Sequence, residues 1–171
     1  LVGSEMCIRD RINAADFVGH KDVIEIAKKT FKPKKKSIIS LVRLACHYHE
    51  VKEILPLINW LKKSGYKVGV NIMQIPELSA REIKNAVKEI KKTKADVLYF
   101  ADSMGSLDSF QTKRIINQIK SLWKKSTGIH SHDNMGKALE NSIIAIKNSV
   151  NWIDCTVTGM GRGPGNTKTE Y

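Results

Sequence analysis

Strand and helix signals alternate along this chain, and that alternation constrains its fold more than any other feature. Asn13 to Phe17 reads as the end of a first strand. Lys21 to Phe31 then carries Val23, Ile24, Ile26 and Ala27 as a helical stripe. Ser37 to Ala45 is β-branched and nearly all apolar, as a strand buried on both faces should be. Val51 to Lys63 predicts a helix with Ile54, Leu55, Ile58 and Leu61 on one side, although Pro56 removes a backbone donor. Gly65 stops it before a strand over Lys67 to Gln74. Ser79 with Glu82, and Asp108 with Gln111, are capping boxes that open helices reaching about Lys92 and Lys125. The short apolar strand Val97 to Ala101 lies between them. A strand carrying His130 and His132, a helix from Lys137 to Asn148 and a strand from Trp152 to Val157 complete the series.

Strict alternation means parallel strands joined by helical crossovers. The repeat of about 28–30 residues per unit matches a (β/α)8 TIM barrel, whose full length is about 250 residues. The expected fold is therefore an α/β TIM barrel truncated at its N-terminus, comprising about the third to eighth strands. Residues 1–11 (Leu-Val-Gly-Ser-Glu-Met-Cys-Ile-Arg-Asp-Arg) resemble a translated sequencing adaptor and are read as non-native. On that reading 12–171 form a partial catalytic domain. Missing strands leave open sheet edges, so poor solubility is expected.

The formal net charge of +12 is carried mainly by lysines such as Lys62, Lys63, Lys84, Lys88, Lys91 and Lys92, which fall on predicted outer helix faces. Without interleaved aromatic residues or a nucleic-acid motif, they read as a solvated surface, and neither nucleic acid nor membrane is an expected partner. Three cysteines, Cys7, Cys46 and Cys155, are too scattered for a disulfide framework. Cys46 and Cys155 lie in apolar runs and are expected to be buried thiols. With no membrane-length apolar run and no signal peptide, a reducing, cytoplasmic setting is expected.

Polar residues gather where strands are expected to end: Arg43, His47, Asn71, Gln74, Asp102, Ser103, His130, His132 and Asn166. In TIM barrels the C-terminal face carries the active site. Two histidines two residues apart on a strand share a face and suit one metal ion. His47 and His49 have the same spacing but read as loop or helix-start residues. The run Gly159-Met-Gly-Arg-Gly-Pro-Gly-Asn166 fails the dinucleotide fingerprint, since G-x-G-x-x-G counted from Gly159 reaches Pro164 and from Gly161 reaches Asn166. It reads as a tight loop that returns Asn166 toward the metal and presents Arg162 to an anionic substrate.

Taken in order, Val42-Arg-Leu-Ala45, Phe100-Ala-Asp-Ser-Met-Gly105, Gly128-Ile-His-Ser-His-Asp-Asn-Met-Gly136, Ala138-Leu-Glu-Asn-Ser142, Asp154-Cys-Thr and the glycine-rich run resemble the metal-dependent aldolase and acyl-transferase barrels typified by hydroxymethylglutaryl-CoA lyase. The wording is most similar to the 4-hydroxy-2-oxovalerate aldolase branch. That resemblance implies a divalent-metal-dependent carbon–carbon lyase acting on a small 2-keto acid through a pyruvate enolate. The implied metal, commonly Mn or Mg, has His130, His132 and Asn166 as ligands, with Ser103 and His130 at the substrate. The family's first-strand aspartate, its neighbouring arginine and its histidine base have no counterpart here, so the chain by itself is expected to be inactive. An aldehyde dehydrogenase partner and an oligomer are also implied.

Two other readings stay open. A synthase of the isopropylmalate type, adding an acetyl-CoA enolate to a 2-keto acid, would carry a further regulatory domain. A basic, non-enzymatic binding module would bind DNA with steep salt dependence.

Overall fold

The computed structural model describes residues 8–20 and 22–171. Leu1 to Cys7 of the adaptor-like stretch, and Lys21, the expected start of the first helix, lie outside the described residues. Six strands and five helices alternate as β1 (Ile8–Asn13), α1 (Val23–Thr30), β2 (Ile39–Cys46), α2 (Val51–Lys63), β3 (Lys67–Ile72), α3 (Ala80–Lys91), β4 (Val97–Asp102), α4 (Ser109–Leu122), β5 (Ser126–Ser131), α5 (Ala138–Lys147) and β6 (Trp152–Asp154). All neighbouring strands are parallel, in the sequential order β1-β2-β3-β4-β5-β6. The fold is thus a partial TIM barrel, six parallel strands with their crossover helices.

Local chemistry explains the elements. Ser79 and Glu82, and Asp108 and Gln111, form reciprocal capping boxes at the starts of α3 and α4. Each box satisfies backbone donors that a helix start leaves open. The helix α2 continues through Pro56. An interior proline costs about 3 kcal/mol. Burying Ile54, Leu57, Ile58 and Leu61 completely returns roughly 1.5–3 kcal/mol each, so packing wins.

Strand register sorts side chains onto two faces. Leu44, Val70, Leu98 and Ile129 face the helices and belong to the main apolar core. The opposite, concave face carries paired rows: Arg11, Arg43, Gly69 and Val97 in one, and Asn13, Ala45, Asn71, Tyr99, Gly128 and Trp152 in the next. Its apolar cluster is small, with Leu41, Val97 and Tyr99 buried and Trp152 against them.

The bounds of the first and last strands and the burial of Cys155 are corrected. The first strand spans Ile8–Asn13, and Ala14–Asp16 turn as a 3-10 helix, because Ala14 and Phe17 bury their side chains there. Four residues of the adaptor-like stretch therefore pair with β2 through Arg11↔Arg43 and its neighbours. The last strand stops at Asp154, and Cys155 just beyond it is exposed, while Cys46 is buried as expected. Burial, with Glu50 nearby, pushes the Cys46 thiol up to about 12.

Candidate active site

An open cavity of about 870 Å³ lies at the C-terminal ends of the strands, lined in part by His47, Met73, Gln74, Ser103, His130, His132, Arg162 and Asn166. Its floor is built from the concave face. Gly128 leaves room for the Tyr99 ring, since a Cβ there would stand 2.2 Å from a ring carbon. The Arg43 guanidinium lies over that ring, 4.9 Å from its centre. From β2 it reaches across the sheet to an ion pair with Asp154 at the end of β6. The same carboxylate oxygen, Oδ2 of Asp154, is 2.8 Å from His130 Nδ1. His130 is thus oriented through Nδ1, with Nε2 left for a ligand. Burial alone would raise the Asp154 pKa, but the His130 hydrogen bond and the Arg43 charge outweigh it and hold the carboxyl below its ordinary value.

His130 is the fifth residue of β5, whereas His132 lies one residue beyond the strand. Their rings meet edge to face, 5.2 Å apart at 77°. Burial, His130 and the charges of Arg11 and Arg162 push the His132 pKa down against the pull of Asp102. A neutral imidazole is the ligating form. The glycine-rich loop folds back so that His132 pairs with Asn166 in an antiparallel bridge and the Asp133 amide donates to the Gly165 carbonyl at 3.0 Å. Gly161 is needed for this return, because a Cβ on it would fall 2.2 Å from Asn166 Nδ2. That nitrogen donates to the Met160 carbonyl at 3.0 Å, while Oδ1 of Asn166 is buried without a hydrogen-bond partner. An orphaned buried acceptor carries a cost that a bound cation would remove.

The residues therefore fit a divalent ion through two imidazoles and one amide oxygen. Among the described residues no group of three His, Cys, Asp or Glu side chains is placed to hold a metal. Ser103 also reaches the cavity, where its Oγ accepts from the Gln74 amide at 3.0 Å. Gln74 is in the left-handed region at φ 51°, a strained state for a residue with a side chain.

Other expected site residues are placed differently. Asp102 is fully buried and accepts from the Ser106 and Leu107 amides at 3.0 Å, so it fixes the loop after β4. Arg43 and Asn71 lie within β2 and β3 rather than at their ends. His47 and His49 stack in parallel, 5.6 Å apart, and His47 starts a short turn with Glu50, as its loop reading requires. His47 also lines the cavity. Asp154 had been given no role by the sequence. The usable signal was Arg43 itself, because a charge inside an apolar strand needs a buried partner.

Among the described residues no helix is long and apolar enough to cross a membrane. A family model described as HMGL-like matches residues 42–171. Curated relatives named 4-hydroxy-2-oxovalerate aldolase include one from Brevibacillus brevis, 28% identical over 77% of this chain and 39% of its own length. Another, from Geobacillus genomosp. 3, is 29% identical over 84% of this chain and 42% of its own. The chain thus spans about two fifths of the length of the curated relatives it matches. Among solved structures, the N-terminal domain of a proposed aldolase from Bacteroides vulgatus superposes with a TM-score of 0.76 at 27% identity, covering 95% of this chain and 52% of that one. The HMG-CoA lyase of Bacillus subtilis has a TM-score of 0.71 at 14% identity, covering 77% of this chain and 53% of that one, and shares the fold.

Proposed function

The chain belongs to the HMGL-like family, and on that premise we propose that the protein is a divalent-metal-dependent lyase that cleaves or forms a 4-hydroxy-2-keto acid by way of a pyruvate enolate. The observation that carries this reading is that His130, His132 and Asn166, whose Oδ1 is buried without a partner, line one cavity. The names of the curated relatives support the reaction class.

When bound, a divalent cation supplies Lewis acidity at the 2-keto oxygen, where negative charge accumulates. The chain's own residues do the rest. Asp154 holds the His130 ring, and the low pKa of His132 keeps its imidazole neutral at pH 7. Ser103 accepts the Gln74 amide and so keeps its hydroxyl proton free to donate to the substrate carboxylate. In cleavage the C3–C4 bond breaks, the 4-hydroxyl proton goes to a base, and the electron pair stays on C3 until it is protonated to give pyruvate. That base is assigned to no described residue.

The test is pyruvate release from 4-hydroxy-2-oxopentanoate by the intact gene product. Release should depend on Mn or Mg, stop with chelator and fall at least about a hundredfold in His132→Ala. No metal-dependent release of pyruvate from any 4-hydroxy-2-keto acid would overturn the proposal.

A further inference from the structure

Arg162 stands apart from the structural work of its loop. Its carbonyl accepts from Gly165, but its side chain is exposed on the cavity wall, and among the described residues it pairs with no carboxylate. Of the site's other arginines, Arg43 is held by Asp154, while Arg11, at the β1 side of the cavity, has a weak 3.9 Å contact to the Met73 sulfur. Two arginines, Arg11 and Arg162, line this cavity against one carboxylate, Asp16. Arg162 lies four residues before Asn166, which bridges to His132, and its charge is felt at both His132 and Arg11. Arg162, His130 and His132 line the same cavity, so an anion on this guanidinium shares that space with the histidine pair.

The proposed chemistry already commits the substrate's 2-keto acid end to the histidine side of the cavity. Arg162 is left for the opposite end. A guanidinium with no internal partner, beside a cavity, is suited to bidentate binding of a carboxylate. The phosphates of an acyl-CoA are a poorer match, because a whole pantetheine arm separates them from the reacting carbon.

We infer that Arg162 is a specificity-determining residue that binds a second carboxylate, so that the preferred substrate is a 4-hydroxy-2-keto diacid. This rests on the lyase reading and deepens it. Cleavage then breaks the same C3–C4 bond and yields pyruvate with an aldehyde acid in place of a simple aldehyde. In the relatives' printed substrate name, oxovalerate, the far end is a methyl group, so this chain would differ from them in selectivity.

The experiment compares binding of 2-oxoglutarate and 2-oxopentanoate, five-carbon keto acids that lack the 4-hydroxyl and are not cleaved. Calorimetry on the Mn-loaded intact gene product should show the diacid binding at least about tenfold more tightly, the worth of one charge-assisted bidentate contact. Arg162→Gln should shrink that ratio to about threefold or less, and Arg162→Lys should keep part of it. Equal affinities in the parent protein would overturn the inference. So would a preference that survives Arg162→Gln, or equal weakening of both acids, which would place Arg162 at their shared end. Displacement of the diacid by an equal concentration of coenzyme A would also overturn it, by making phosphate the bound anion. A diacid preference that depends on Arg162, found without pyruvate release from any 4-hydroxy-2-keto acid, would uphold this inference and sink the lyase reading alone.

Discussion

Arg43 on β2 and Asp154 at the end of β6, 111 residues apart in sequence, form an ion pair across the concave face of the sheet. Their side chains are only 15% and 18% exposed. The pair fastens two strands that share no backbone hydrogen bonds and fixes His130 through the same carboxylate oxygen. Removing one partner strands the other charge away from water. Asp154→Asn should cost about 2–4 kcal/mol, less than a fully buried pair because some solvent remains. Replacing both with apolar residues, as in Arg43→Met with Asp154→Leu, should cost less than either single change. Urea unfolding of the three variants checks the order.

Acid should weaken the metal-free protein through two groups of the same sign. His132 and Asp154 both have folded pKa values below their ordinary values of 6.5 and 3.8. The unfolded chain therefore binds more protons at each site, and stability rises with pH across each interval. The His132 contribution is complete above about pH 6.5 and drains as pH falls toward its folded value. That of Asp154 is complete above about pH 3.8 and is lost as pH falls through its lower folded value. Urea midpoints from pH 8 to 3 should fall in two stages, and His132→Gln should flatten the first.

The two stages involve residues that the sequence revealed unequally. Helix starts at Ser79 and Asp108 were legible because capping boxes are local patterns. The six-strand alternation and the return of Asn166 to His132 were legible for a related reason, since periodicity and glycine spacing are written within short windows. The Arg43–Asp154–His130 chain was not, because it joins β2, β5 and β6 through a sheet curvature that no window contains. Cys155 was misread for the same kind of reason. Its run looks like a buried strand, but β6 ends one residue earlier and leaves the thiol exposed.

Metal affinity should depend on residues other than the two histidines. Asp154→Asn keeps the shape of the side chain but removes the charge that anchors His130 Nδ1. Such outer partners are typically worth about 10- to 100-fold in metal affinity. Asn166→Ala deletes the orphaned Oδ1 and should weaken Mn binding as well. Gly161→Ala should do so indirectly, by displacing Asn166 from its seat. Titration with Mn followed by electron paramagnetic resonance separates these from Cys155→Ser, an exposed control that should leave affinity unchanged.

The hardest single test of the cavity floor is Gly128→Ala. The added methyl would fall 2.2 Å from the Tyr99 ring, well inside contact distance. Tyr99 is fully buried in a cluster with Leu41 and Val97, and Trp152 packs against them. Any shift of the ring disturbs Arg43, whose guanidinium lies 4.9 Å from its centre. Arg43 in turn holds Asp154, so the displacement reaches His130. Overpacking of this kind costs about 1–3 kcal/mol in stability. The distinctive outcome is a loss of Mn affinity accompanying that cost, although the methyl is confined to the floor beneath the histidines. An overpacking change on the helix-facing side, such as Ala86→Val between buried Ile83 and Ile90, should destabilise the protein and leave Mn affinity intact. Equal Mn affinity in both variants would mean that the floor does not position His130.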